Sequence, residues 1–246
     1  RGGTKVTYEF TVDKTGFYYL ALKALKNVNT GVASGKNIYI DNVIPFEELK
    51  AMTFDTMKKW TNVSVGEEEA FRFYLTAGVH SITIESTVEQ YMPVIDRLNQ
   101  IKDDISSISL LVQTITGGNA DDAIDWNIVR YIPDLQERLI NYASELEALY
   151  DQLSELDNGV STAAEISTLN VAAKQLRRVA KTPNRIGSKL AEFSEGSGSA
   201  YQLIGNAIAS LLSQPLSLDR LYFYNDVTLP KPMGSWFKRV WDGIRS

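Results

Sequence analysis

The chain of 246 residues has no cysteine and one histidine. Without cysteine there can be no disulfide, no thiolate nucleophile and no cysteine-ligated zinc, and the redox compartment is left open. A single histidine excludes a histidine-rich metal centre and a paired-histidine mechanism. No apolar run reaches the roughly 20 residues that span a bilayer. There is no phosphate-binding glycine loop, no Gly-x-Ser-x-Gly elbow and no His-Glu-x-x-His. Positive charge is also short where it would matter for nucleic acid. The net charge is −5, and residues 89–214 alone carry ten basic against seventeen acidic side chains. Such a surface repels a phosphate backbone, so nucleic acid is not an expected partner.

With 44% hydrophobic residues, the chain can bury one large or two modest cores. Residues 1–88 read as strands. Val6, Tyr8, Phe10 and Val12 alternate with polar residues, Asp13-Lys14-Thr15-Gly16 has turn chemistry, and Phe17 to Leu25 continues as a second strand. The pair reads as a hairpin. Asn37–Asn42 reads as a short strand, Glu47–Met57 as a surface helix or an irregular arm, and Trp60–Val65 as another strand. Phe71–Leu75 and Val79–Glu85 follow, separated by a glycine turn.

Residues 89–214 change period. Leu98, Ile101, Ile105, Ile108, Val112 and Ile115 recur in steps of three and four behind Pro93, a heptad seam that ends at Gly117-Gly118. A second helix is predicted from Pro133 to Asn158-Gly159 on the stripe Leu139, Tyr142, Leu146, Leu149, Leu153 and Leu156. Thr162 and Glu165 form a capping box for a third, on Ile166, Leu169, Ala173, Leu176 and Ala180. Thr182-Pro183 opens a fourth with Ile186, Leu190 and Phe193, and a fifth carries Tyr201, Ile204, Ile208 and Leu211. The expectation is an antiparallel bundle.

Leu216–Tyr224 then alternates as a strand again. A lone strand leaves its backbone donors unpaired, so it is expected to join the N-terminal sheet, beside Val79–Glu85. The predicted division is a β-sandwich from residues 1–88 with 215–230, an inserted helical bundle over 89–214, and a connector with an amphipathic helix over 231–246. That last helix, with Trp236, Phe237, Val240, Trp241 and Ile244 on one face, reads as docking on its own or a following domain, or as lying on a membrane surface. No charged-then-apolar leader opens the chain, and its two ends read as cut points in a longer polypeptide.

The strand motifs Gly-Phe-Tyr-Tyr-Leu (16–20), Ile-Tyr-Ile-Asp-Asn (38–42), Tyr-Leu-Thr-Ala-Gly-Val-His-Ser-Ile-Thr-Ile-Glu (74–85) and Leu-Asp-Arg-Leu-Tyr-Phe-Tyr (218–224) resemble the galactose-binding-like jelly roll of carbohydrate-binding modules. Two features depart from that pattern: no acidic calcium ligand is evident before Thr4, and more than a hundred residues replace a short final loop. Together with the helical insertion and the Trp-rich tail, the chain resembles the N-terminal accessory region of large extracellular solute-binding proteins of Gram-positive bacteria that serve sugar ABC transporters. The resemblance implies an α+β fold, an antiparallel jelly-roll sandwich with an inserted bundle. It further implies an extracellular, surface-associated location, a following solute-binding domain, and transporter components and a carbohydrate as partners.

For sugar binding, ring faces must stack on pyranose C–H surfaces while amides and carboxylates meet the hydroxyls. The resemblance points to loops holding Asn27, Asn29, Trp60, Asn225 and Asp226. Trp60 reads equally as core. No catalytic residue, cofactor or metal is expected. His80 lacks a partner for a dyad and reads as structural, and the carboxylate clusters Glu67-Glu68-Glu69, Asp103-Asp104 and Asp121-Asp122-Asp125 read as solvated. The Gly117–Asp122 loop lacks calcium-loop spacing. The rival reading is a structural or protein-interaction module without a small-molecule ligand.

Overall fold

The computed structural model describes residues 2–28, 32–66, 69–118, 121, 123–156 and 164–225. The fold is α+β, with two antiparallel sheets and a helical bundle. Two compact units divide it, one of residues 1–89 with 214–246 and the other of residues 90–213.

In the first unit the strands are β1 (Lys5–Val12), β2 (Gly16–Lys26), β3 (Ser34–Ile40), β4 (Met52–Phe54), β5 (Met57–Ser64), β6 (Arg72–Leu75), β7 (Gly78–Thr87) and β8 (Ser217–Tyr224). One sheet has the order β1-β7-β3-β4. The other is built on β2, which pairs with β5, β6 and β8. Since Tyr19 pairs with both Arg72 and Tyr224, and Ala21 with both Ser64 and Tyr222, β5 and β6 share one edge of β2 and β8 takes the other.

Each strand's alternation puts one face inward. Leu20 and Leu22 of β2 meet Ile38, Ile82 and Ile84 of the opposite sheet in one core, completed by Phe54, Phe73 and Leu75, with Leu216, Leu218, Leu221 and Phe223 packed against it. Phe223 stacks on Phe10 of β1 with ring centres 4.1 Å apart, so the last strand contributes to the same interior as the first.

Two expectations about pairing are corrected. β1 and β2 are not a hairpin: β1 pairs only within the first sheet, with β7, while β2 lies in the second. The glycine turn between β6 and β7 likewise carries the chain from one sheet to the other. These two crossings are tied together, Ala77 N donating to Thr15 Oγ1 at 2.8 Å. β8 does not lie beside Val79–Glu85; it pairs with Tyr19–Leu25. Period-two alternation names the buried face of a strand and says nothing of which edge it joins. Glu47–Met57 resolves into a short 3₁₀ turn, Glu47–Leu49, followed by β4.

The segment leading into β8 is held by polar contacts. Gln214 Oε1 accepts from Gly35 N at 2.7 Å, Pro215 O accepts from Ser34 Oγ at 2.9 Å, and Lys36 Nζ donates to Gln214 O at 2.8 Å and to Ser86 Oγ at 2.9 Å. Lys36 is only 4% exposed, and Lys26 only 1%. Burial first, then the positive charge of Lys26, lowers Lys36 from 10.5 to about 8.

The second unit holds α1 (Met92–Thr116), α2 (Leu135–Leu156), α3 (Ala164–Ala180) and α4 (Ala200–Leu212). The seam of α1 is buried from Leu98 to Val112, and its end is capped by Gly117 at φ +61, a left-handed conformation that costs glycine nothing. α2 buries Leu139, Tyr142, Leu146 and Leu153, and α3 buries Ile166, Leu169, Ala173 and Leu176. α1 and α2 are bridged by polar pairs: Arg97 with Glu145, and Asp104 with both Tyr142 and Arg138. The predicted fourth α-helix is instead a 3₁₀ segment, Pro183–Lys189, followed by a π-helical turn, Ala191–Glu195. Ile186 and Phe193 are buried all the same, because the spacing encodes burial and leaves the hydrogen-bond ladder open. Thr162 of the expected capping box, Asn158-Gly159 and the Trp-rich tail lie outside the described residues.

Candidate functional site: an aromatic sheet face

Residues directly opposite in an antiparallel ladder project to the same side. Leu20 and Leu22 face the core, so Phe17, Tyr19, Ala21 and Lys23 face outward. Their partners share that face: Tyr74 opposite Phe17, Arg72 and Tyr224 opposite Tyr19, Tyr222 and Ser64 opposite Ala21, Asn62 and Arg220 opposite Lys23. Trp60, two residues before Asn62, joins them. The pairing of β5, β6 and β8 with β2 thus collects six aromatic side chains and three cations on one outer surface.

The contacts run along its length. Phe17 and Tyr74 meet edge to face at 5.3 Å, with the Arg72 guanidinium 4.7 Å over the Phe17 ring. Tyr19 and Tyr224 lie 5.5 Å apart. Lys23 Nζ sits 5.7 Å from the Trp60 ring centre and 2.5 Å from Asp219 Oδ2, with Arg220 Nε 3.8 Å from the same oxygen. The Lys23 hydrogen bond holds the Asp219 carboxyl below its ordinary range. Phe17 is 52% exposed and Tyr74 62%, while Tyr19, Trp60, Tyr222 and Tyr224 are half-buried. Their outer rings and the polar groups among them provide stacking surfaces together with fixed hydrogen-bonding groups.

Of the residues expected at a binding site, Trp60 is on this face. Asn27 follows the end of β2 and Asn225 follows the end of β8, at opposite ends of the ladder from Tyr19–Tyr224 to Leu25–Ser217. Six residues of strand separate those ends, about 20 Å, so no single sugar ring touches both amides. Asn29 and Asp226 lie outside the described residues. Phe17, Tyr19, Lys23, Asn62, Arg72 and Tyr74 were not anticipated. The two-residue spacing in Phe17-x-Tyr19, Arg72-x-Tyr74 and Tyr222-x-Tyr224 is the signal for an outward row, but their assembly needs the strand pairing.

His80 has a structural setting in the other sheet. Its Nδ1 lies 2.6 Å from Asp41 Oδ2 and its Nε2 2.8 Å from Thr76 O, while Ser81 N donates to Asp41 Oδ1 at 2.8 Å. A carbonyl can only accept, so Nε2 carries a proton, and the carboxylate favours one on Nδ1 as well. The Asp41 hydrogen bond first, and Thr76 second, raise the imidazole above its ordinary value. Burial pushes Asp41 up, but the hydrogen bonds from His80 and Ser81 outweigh it and leave the carboxyl lowered. The pair clasps the turn at Asp41, which has φ +50, to β7.

Among the described residues, no group of three or more histidines and carboxylates is arranged to hold a metal ion. Asp121 and Asp125 accept from the backbone two residues on, at Ala123 and Asn127, as turn-forming carboxylates do. Glu67, Glu68 and Asp122 lie outside the described residues.

Residues 93–211 match the family model described as bacterial solute-binding protein, 4-helix bundle domain. The matched stretch falls within the helical unit. Three solved structures are weakly similar to the chain. One is a GH26-CBM35 β-(1,4)-mannanase of Podospora anserina (19% identity, TM-score 0.27, covering 35% of this chain and 17% of that one). Another is a family 35 carbohydrate binding module from an environmental isolate (16% identity, TM-score 0.27, 35% and 56%). The third is a ruminal GH26 endo-β-1,4-mannanase (15% identity, TM-score 0.26, 34% and 15%). The chain therefore spans between about a sixth and just over half of the structures it resembles. No curated protein matches it.

Proposed function

We propose that the chain is a non-catalytic, carbohydrate-binding accessory region of a bacterial solute-binding protein, working outside the cell beside a sugar transporter. The single observation that carries the carbohydrate reading is the outer face of the β2 sheet. Exposed rings at Phe17 and Tyr74, half-buried rings at Tyr19, Trp60, Tyr222 and Tyr224, and hydrogen-bonding groups at Lys23, Asn62, Arg72 and Arg220 supply what pyranose recognition demands. The helical match to a domain of bacterial solute-binding proteins supports the transport setting. The sequence resemblance adds the finer context: an N-terminal position, a Gram-positive surface, a following solute-binding domain and ABC transporter components as partners.

Binding of the whole chain to a glycan array tests the reading, with Trp60→Ala and Tyr74→Ala measured beside the parent. Retention of specific glycans is expected, and each variant should weaken it about fivefold, the value of one stacking contact near 1 kcal/mol. An array that retains nothing, while a defined transporter component binds, would replace this reading with that of a protein-interaction module.

A further inference from the structure

We infer that the aromatic face takes an internal stretch of an extended, equatorially linked polysaccharide, and not the small sugar that a transporter would carry. This rests on the carbohydrate reading and specifies the form of its ligand.

Length is the first reason. The outward row runs along β2 from Phe17, opposite Tyr74, to the neighbourhood of Ala24, whose partner Thr61 adjoins Trp60. Seven residues of strand make that row about 23 Å long, and the three strands across it make it about 10 Å wide. Rings stand at both ends and between them: Phe17 with Tyr74, Tyr19 with Tyr224, then Tyr222, then Trp60. One small sugar covers only a fraction of such a strip. Asn27 and Asn225, too far apart to share a single ring, lie at the two ends of the β2–β8 ladder, where a longer ligand passes.

Shape is the second. A site for a small solute encloses most of the ligand's surface. Here the rings are on the outer face of a sheet, away from the core, and Phe17 and Tyr74 are more than half exposed. A cavity of about 470 Å³ is lined by Gln113, Ser188 and Glu195, and one of about 360 Å³ by Glu48, Lys50 and Phe71; neither is lined by a residue of the face. An open surface meets one side of each sugar ring, so affinity must accumulate over successive rings. A ribbon-like chain with equatorial linkages offers its C–H faces in sequence along a flat strip. A helical chain turns them away.

The polar groups fit this arrangement. Lys23, Asp219 and Arg220 form one ion-paired cluster midway to one end of the row, and Arg72 lies over Phe17 at the other. They are spaced to meet hydroxyls on different sugar units. If the protein holds a polymer in this way, it keeps the transport receptor where polymer breakdown releases small sugars, while the transported molecule binds elsewhere.

The test is calorimetric titration of the whole chain with two ladders of β-1,4-linked oligosaccharides, glucose to cellohexaose and mannose to mannohexaose. Affinity should be unmeasurable for the single sugars and rise about fivefold for each added ring that finds an aromatic partner, until the row is filled. Trp60→Ala and Tyr74→Ala remove opposite ends, so each should make the rise level off at a shorter oligosaccharide. Circular dichroism identifies a variant that has failed to fold, and the highly exposed Tyr74 gives a second route if Trp60→Ala does. Binding of a mono- or disaccharide as tightly as the longest oligosaccharide, lost in Trp60→Ala, would overturn the polymer inference and leave carbohydrate binding intact. Absence of binding by every oligosaccharide and by the glycan array overturns both.

Discussion

Lys36→Met should reverse the sign of its effect on stability between neutral and alkaline pH. Lys36 is 4% exposed, its amine donates to Ser86 Oγ and Gln214 O, and it lies close enough to Lys26 to feel its charge. Its folded value of about 8 is below the 10.5 of a free lysine. Between those values the unfolded chain binds more protons, so stability rises with pH across that window and is lost again as pH falls through about 8. The gap corresponds to about 3 kcal/mol. Methionine removes this cost but leaves the Gln214 carbonyl without its lysine donor, a loss of about 1–2 kcal/mol. The variant should therefore be about 1–2 kcal/mol more stable than the parent at pH 7 and less stable by a similar amount above about pH 10. Urea unfolding over that range, followed by the fluorescence of Trp60 with the other three tryptophans replaced by phenylalanine, isolates the sandwich. Tyrosines that titrate in the same range act equally on both proteins and cancel in the difference. A stability difference that does not change with pH would show that Lys36 titrates alike in the folded and the unfolded chain, and the account of its burial would fail.

Two further expectations concern the clasp and the bundle. His80 is raised above 6.5, so its ion pair contributes fully below that pH and is lost as pH rises through the folded value; with Asp41 half-exposed, the contribution is no more than about 1 kcal/mol. As the only histidine, His80 gives one imidazole signal by NMR. Its midpoint should fall toward 6.5 in Asp41→Asn, and an unchanged midpoint would contradict the pairing. In α2, Leu146 is fully buried. Leu146→Asp should cost at least about 4 kcal/mol, through the lost apolar contact and a carboxylate without solvent, and remove much of the helical circular dichroism, whereas Leu146→Met should cost under about 1.5 kcal/mol. Equal melting of the Asp variant and the parent would refute the seam.

The helices were legible because their signal is local. Leu98 to Val112 and Leu139 to Leu153 repeat every three or four residues, and each such repeat became a buried stripe on a single element. The exception is instructive. Ile186, Leu190 and Phe193 have helical spacing, but the backbone there is 3₁₀ and then π, with Ser194 bonded to Ser109 of α1 at 2.7 Å. The choice among ladders differing by one residue is made by packing against neighbours. The strands were legible as strands for the same local reason, and their partners were not. β1 and β2 are adjacent in sequence and lie in different sheets, while β8 pairs with a strand almost two hundred residues away.

The candidate site divides in the same way. Trp60 could be singled out as an aromatic at a strand position, and Tyr222 and Tyr224 as sheet-surface residues, but the two-residue spacing of Phe17 with Tyr19 and of Arg72 with Tyr74 does not say that the two rows share a surface. Composition and periodicity, which depend on residues within a few turns of each other, determined by themselves the α+β class, the heptad seams and the positions of most strands. Which edge of β2 received β8, and hence which rings and cations stand side by side, was decided only in the tertiary structure. A strand's backbone donors and acceptors are alike along its length, so the choice of partner falls to the packing of side chains far apart in sequence.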